Sequence, residues 1–197
     1  MRGRKTSTRP NPQWMTIAHQ IELNPSNWVS GAVGVGSLFR GHMMSSPSTP
    51  CDSVYEGVTG SCDNFNPDPS KRRVFNIGNV EIWDFVGNIL EWVDWTVVQA
   101  DKAYRSLDSM PVGAFREFNQ IDTNNDIGDV MQDLFWKPFT PGLMDSNGVG
   151  QYFAGGTDGT ALRGGAFNNM GGLYALNLNL SAAAVQSNIG FRCVYNP

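Results

Sequence analysis

With 197 residues, 41% of them apolar and 6 Trp and 11 Phe among them, the chain has the material for one substantial hydrophobic core, which excludes wholesale disorder and makes a second full core superfluous. Only 16% of it is charged, and 22 Gly with 11 Pro argue for turns and irregular loops over a helical bundle. The net charge of −4, from 14 basic and 18 acidic residues, offers no overall attraction to a phosphate backbone, so nucleic acid is not an expected partner.

The basic start (Arg2, Arg4, Lys5, Arg9) is followed by TSTRPNP where an export signal would need an apolar segment, so residues 1–12 read as a loose basic arm and 13–197 as a single domain. No apolar run approaches the roughly 20 residues of a spanning helix, and the chain reads as soluble. In QWMTIAHQIEL (13–23), Trp14, Ile17, Ala18 and Ile21 fall at helical spacing and Asn24-Pro25 supplies the stop. Residues 30–50 read as loops with one short strand. Cys51 and Cys62 flank a Gly/Ser-containing loop and stand either bridged or as free thiols; with Cys193 they match no zinc spacing.

Segments 74–77 and 80–85 read as strand or turn material around Gly78-Asn79. The polar DTNNDIGD (122–129) precedes a short apolar pattern at Val130, Met131, Leu134 and Phe135, suited to a helical turn or two. Residues 160–167 read as a strand broken by Gly164-Gly165. In ALNLNLS (175–181), Leu176, Leu178 and Leu180 share one face, with Ala175, Asn177 and Asn179 on the other. Residues 189–195 alternate as well, placing Ile189, Phe191, Cys193 and Tyr195 on a face expected to be buried.

Three segments in order, IWDFVGNILEWV (82–93), LRGGAF (162–167) and NIGFRCVY (188–195), resemble the signature of the formylglycine-generating-enzyme-like family of C-type lectin folds. The resemblance implies an α+β C-type lectin fold with long irregular loops and insertions. Its scaffold would comprise Trp83, Asp84, Gly87, Asn88, Glu91, Trp92, Arg163, Gly164, Gly165, Gly190, Phe191 and Arg192. An aromatic core of Trp83, Phe85, Trp92, Trp95, Phe167 and Phe191 agrees with it, each buried ring contributing about 2–3 kcal/mol.

The catalytic members of that family carry two copper-binding cysteines after the RGG segment. Carried over residue by residue, those positions fall on Asn169 and Tyr174, neither of which replaces a thiolate. Iron-dependent relatives use clustered histidines, whereas this chain has only His19 and His42, distant from the signature segments. The tripeptides of calcium-dependent lectins do not occur. No GxSxG, GxxxxGK[ST] or HExxH pattern occurs either, so the expectation is a protein without cofactor or catalysis.

The interval between RGG and IGFR is also similar to that of the variable proteins of diversity-generating retroelements, in which adenine-directed mutagenesis rewrites asparagine codons. Here Asn168, Asn169, Asn177, Asn179 and Asn188 remain among chemically unrelated residues. The resemblance implies a binding region at about 163–192, with ligand-facing Asn168, Asn169, Met170, Gly171, Leu173, Tyr174, Leu180, Ser181, Ala184 and Gln186. If the Leu face of 175–181 is core, Leu180 leaves that set. The expected partner is a protein or other cell-surface molecule, met by a chain displayed on a virus particle or cell. The alternatives are an enzyme of the same fold with a metal at Glu91, Asp94 or residues 122–129, and a structural virion domain without a ligand.

Overall fold

The computed structural model describes residues 9–41, 72–99, 113–120, 136–166 and 171–192. Cys51, Cys62, Cys193, His42, the 122–129 loop and the apolar pattern after it lie outside these residues, as do Phe167, Asn168, Asn169, Met170 and Tyr195.

The chain is mixed α+β. Strand β1 (Arg9–Pro10) leads directly into helix α1 (Asn11–Glu22), so ordered structure begins inside the stretch expected to be a loose arm. Two interactions set this earlier boundary. β1 pairs in parallel with β4 (Leu90–Val97) through Arg9 opposite Val93 and Pro10 opposite Asp94, and Pro12 sits in the first helical turn, where its missing N–H costs nothing. The helix buries Trp14, Met15, Ala18 and Ile21, as its periodicity requires, and Trp14 stacks on Phe85 with ring centroids 4.1 Å apart.

Past the helix, Asn24 accepts a hydrogen bond from the Ser26 N–H and donates to the Asn76 carbonyl at 3.0 Å, capping the 3-10 turn Pro25–Asn27. Buried Asn27 donates to the carbonyls of Ile21 and Asn76 and accepts from the Asn76 N–H. This lashes the helix end to the hairpin of β2 (Val74–Ile77) and β3 (Val80–Trp83), whose turn is Gly78-Asn79 as the sequence predicts. In residues 30–50 the described chain carries only an isolated bridge between Trp28 and Leu38.

Among the described residues, the main sheet has seven strands. Its backbone is β1-β4-β7-β8-β6-β5, where β5 is Phe115–Arg116, β6 Tyr152–Phe153, β7 Gly159–Arg163 and β8 Leu176–Asn177. β4 and β7 pair antiparallel, Glu91 opposite Arg163 and Trp92 opposite Leu162. On the other edge of β4, β9 (Ile189–Gly190) runs parallel along Leu90 and Glu91 while β1 takes Val93 and Asp94. The first and last described strands therefore close on the same edge.

The larger core lies between the sheet and α1, with Trp14, Phe75, Phe85, Trp136, Tyr152, Leu176 and Leu178 at its centre. A smaller cluster of Leu90, Leu162 and Ala166 joins Trp92, Leu180 and Ile189, which are only partly buried. Two of the expected core rings are outside it. Trp83 is 40% exposed and Phe191 62%, because the hairpin and β9 sit at sheet edges with nothing described packed over their outer faces. Ile189 is half-buried, so the expected buried face of 189–195 is at best partial over its described part. Among the described residues no helix is long and apolar enough to cross a membrane.

Candidate functional site

The three signature segments meet at Glu91. Its backbone faces Arg163 on one side and Gly190 on the other, and its buried carboxylate accepts a hydrogen bond from the Arg192 guanidinium. Arg192 also donates to the carbonyls of Trp83, at 2.8 Å, and Asp84. Asp84 is held by Arg73 at 2.6 Å and adopts φ 50°. Gly87 and Asn88 follow with φ 77° and 61°, a left-handed turn that Gly and Asn tolerate best, and the Gly87 N–H donates to the Gly164 carbonyl at 2.9 Å. Gly164 and Gly165 are also left-handed, and a Cβ on Gly164 would crowd the Trp14 ring and the Phe85 carbonyl. Glu91 is thus occupied by Arg192, and among the described residues no three His, Cys, Asp or Glu side chains gather around a possible ion.

The interval after this frame divides in two. Gly171, Leu173 and Tyr174, expected to face a ligand, are instead buried, Tyr174 completely. The backbone explains why. The N–H groups of Leu173 and Tyr174 donate to the carbonyls of Gly148 and Val149, threading 172–174 against 148–150 so closely that a Cβ at Gly172 would overlap the Val149 and Gly150 backbone. Ala175 is buried along with Leu176 and Leu178, so the alternation of ALNLNLS does not separate inside from outside at its start. Leu180 lies half-buried on the smaller cluster. Ser181 and Gln186 are exposed and Ala184 half-buried. The side chain that sequence reasoning passed over is Val185, 94% exposed.

Sequence reasoning also missed a buried polar network beneath the first half. Tyr174 donates its hydroxyl to Glu22, whose carboxylate further accepts the N–H groups of Phe139 at 3.1 Å and Thr140 at 2.7 Å. Arg163, fully buried, donates to the Asn11 amide oxygen at 2.9 Å, to the Tyr174 carbonyl at 3.1 Å and to the Trp136 carbonyl at 3.3 Å. His19 Nε2 lies 3.1 Å from the Lys137 carbonyl, so Nε2 carries the proton, and the ring stacks on Phe139 at 3.5 Å.

Burial lowers Arg163 to about 9, against the opposing influence of Tyr174, and the guanidinium keeps its charge at neutral pH. The Tyr174 phenol is driven well above its usual range, first by burial and then by the Glu22 carboxylate, and stays protonated. The His19 pKa falls through burial, opposed by the Lys137 carbonyl. A signal for the network existed in the sequence: Glu22 falls four residues after Ala18, on the apolar stripe of α1.

Residues 137–143, part of the stretch held by this network, line an open cleft together with Phe118 and Asn119. The chain matches no protein-family model and no curated protein.

Proposed function

We propose that this chain is a ligand-binding protein of the retroelement variable type, with the C-type lectin fold of the formylglycine-generating-enzyme-like kind, and that it acts by recognition without catalysis. Its contact surface centres on Ser181, Ala184, Val185 and Gln186, while Leu180, packed on the smaller cluster along the same Leu face as the core residues Leu176 and Leu178, leaves the set; the expected Asn168, Asn169 and Met170 lie outside the described residues. The partner is a protein or other cell-surface molecule.

The observation that carries this reading is how the run 181–187 is mounted. Its backbone is fixed at both ends, by the Thr160 N–H on the Leu180 carbonyl at 2.9 Å and the Leu90 N–H on the Asn188 carbonyl at 2.9 Å, while its side chains are mostly exposed. A segment anchored by main-chain bonds keeps its path when its side chains are replaced, because few core contacts are removed. The exposed apolar Val185 and Phe191 add rigid contact area of the sort that anchors interfaces. Against catalysis stands the use already made of Tyr174, which occupies one of the two metal-cysteine positions and commits its hydroxyl to Glu22.

Two experiments test separate parts of this reading. Sequencing the locus should reveal a reverse-transcriptase gene and a near-copy of the terminal coding segment differing at adenines; a locus lacking both ends the retroelement proposal. Exchanging residues 181–187 for an unrelated sequence of equal length should change which cell-surface molecules the chain captures while moving Tm by no more than about 4 °C. Unchanged capture would place recognition elsewhere on the molecule.

A further inference from the structure

The buried network shapes a second surface, which shares no lining residue with the run 181–187. Residues 136–143 are held at four backbone points: the Trp136 carbonyl by Arg163, the Lys137 carbonyl by His19, and the N–H groups of Phe139 and Thr140 by Glu22. Pro138 and Pro141 stiffen the same short stretch by fixing φ. Its outer wall is therefore pre-organised, and between it and Phe118–Asn119 lies a cleft of about 260 Å³. Phe118, Pro138, Phe139, Pro141 and Leu143 give that cleft apolar walls.

One ionisable residue lines it. Among the described lining residues Lys137 alone is ionisable, and its ammonium has neither a counter-ion nor a hydrogen-bond acceptor among the described residues. Partial burial lowers its pKa, the mark of a cation that has lost water without gaining a partner. The size is also selective. A cavity of about 150 Å³ accommodates benzene, so this cleft has room for one ring and a short arm. A single cation suits a monoanion, whereas a phosphate ester would call for more donors than Asn119 and Thr140 add.

We propose that this cleft binds a small aromatic carboxylate, its ring between Phe118, Phe139 and the prolines and its carboxylate on Lys137. Because the wall is fixed in advance, little ordering cost opposes binding.

The test titrates the full chain with phenylacetate, 2-phenylethanol and phenethylamine, followed by calorimetry and by amide shifts. Phenylacetate should bind about ten-fold tighter than either of the others, and its advantage should shrink as salt rises. Lys137→Gln should bring the acid to within about two-fold of the alcohol, while Lys137→Arg keeps the preference. The clamp uses the Lys137 carbonyl and leaves its side chain out, so both variants should fold like the parent; matching Tm values check this. Phe139→Ala should weaken acid and alcohol alike. Absence of saturable phenylacetate binding, or equal affinity for acid and alcohol in the parent chain, or a preference surviving in Lys137→Gln, overturns the proposal. The 181–187 exchange should leave phenylacetate affinity unchanged, which keeps this result separate from the fate of the C-terminal surface.

Discussion

Residues 171–178 (GGLYALNL) and 181–187 (SAAAVQS) belong to one interval of sequence, but the first carries three Leu and a Tyr and is interior, whereas the second has small and polar residues around a single Val and is surface. Their backbones differ as their compositions do. The first half is threaded between neighbours on both sides, with Leu173 and Tyr174 bonded to the 148–149 carbonyls and Leu176 and Leu178 to those of Gln151 and Phe153. The second is tied to β7 and β4 at its ends, at Leu180 and Asn188, and between them has only local turn bonds, from the Ala184 N–H to the Ser181 carbonyl and from the Ile189 N–H to the Gln186 carbonyl, among the described residues. Side-chain chemistry follows: a tyrosine in the first half supports a buried carboxylate, while a valine in the second supports nothing described. Variation is compatible with folding where the main chain is held and the side chain is not.

The sharpest way to break this contrast is at Arg163. Arg163→Ala would leave the Asn11 amide oxygen and the Tyr174 and Trp136 carbonyls without their donor, inside the protein. We expect a loss of about 3–5 kcal/mol, read from urea unfolding midpoints. A loss below about 1 kcal/mol would mean the first half does not depend on the network. Tyr174→Phe removes less: one hydroxyl, donated to Glu22. The remaining carboxylate keeps its two backbone donors, so the expected cost is about 1.5–3 kcal/mol by the same measurement.

These two residues also show where the sequence is legible. Periodicity located α1, since burial on one face imposes a period that the residues record, while turn residues marked the rest: Gly78-Asn79 the β2–β3 turn and Gly164-Gly165 the break after β7. Arg163 was identifiable as scaffold through the signature, but its partners were not: Asn11 lies 152 positions away and fell in the presumed arm. Tyr174 was misplaced outside because an aromatic among asparagines and glycines suits a binding surface as well as an interior, and only the pairing with residues 148–149 decides between them. Phe191 erred in the opposite direction: alternation assigns a face, but whether anything covers that face is a property of the assembled sheet. The Glu22 network joins the helix, the 136–140 segment and residue 174; the place of Glu22 on the apolar stripe of α1 marks it as buried, but no local spacing names its partners.

Acid should sharpen the contrast from the interior side. His19 is held neutral by burial, so its folded pKa lies below the 6.5 of the unfolded chain, and the unfolded state binds more protons as pH falls past that value. Its contribution to stability is therefore complete above about pH 6.5 and declines as pH falls through the folded pKa. Amide exchange at Phe139 and Thr140 should accelerate over this range, with residues 181–187 unaffected. His19→Gln, whose amide can still donate to the Lys137 carbonyl, should flatten that part of the pH profile. A parent chain whose stability is level from pH 7.5 to 5 would contradict the burial-driven shift.

The smallest expected effect tests the other half. Val185 is almost fully exposed and Gln186 is exposed with it, so Val185→Asn and Gln186→Arg should each change unfolding free energy by less than about 0.5 kcal/mol. The Gln186 carbonyl does accept from the Ile189 N–H at 3.2 Å, but that bond uses a main-chain acceptor that every residue, proline included, retains. Gln186→Pro is a discriminating companion: its ring restricts φ and disfavours a helical backbone at Val185, so a cost well above that of Gln186→Arg would locate the constraint in the chain path. If Gln186→Arg were as damaging as the proline, the side chain itself would be structural, and the division between a held backbone and a replaceable surface would fail at the position where it is most directly exposed to test.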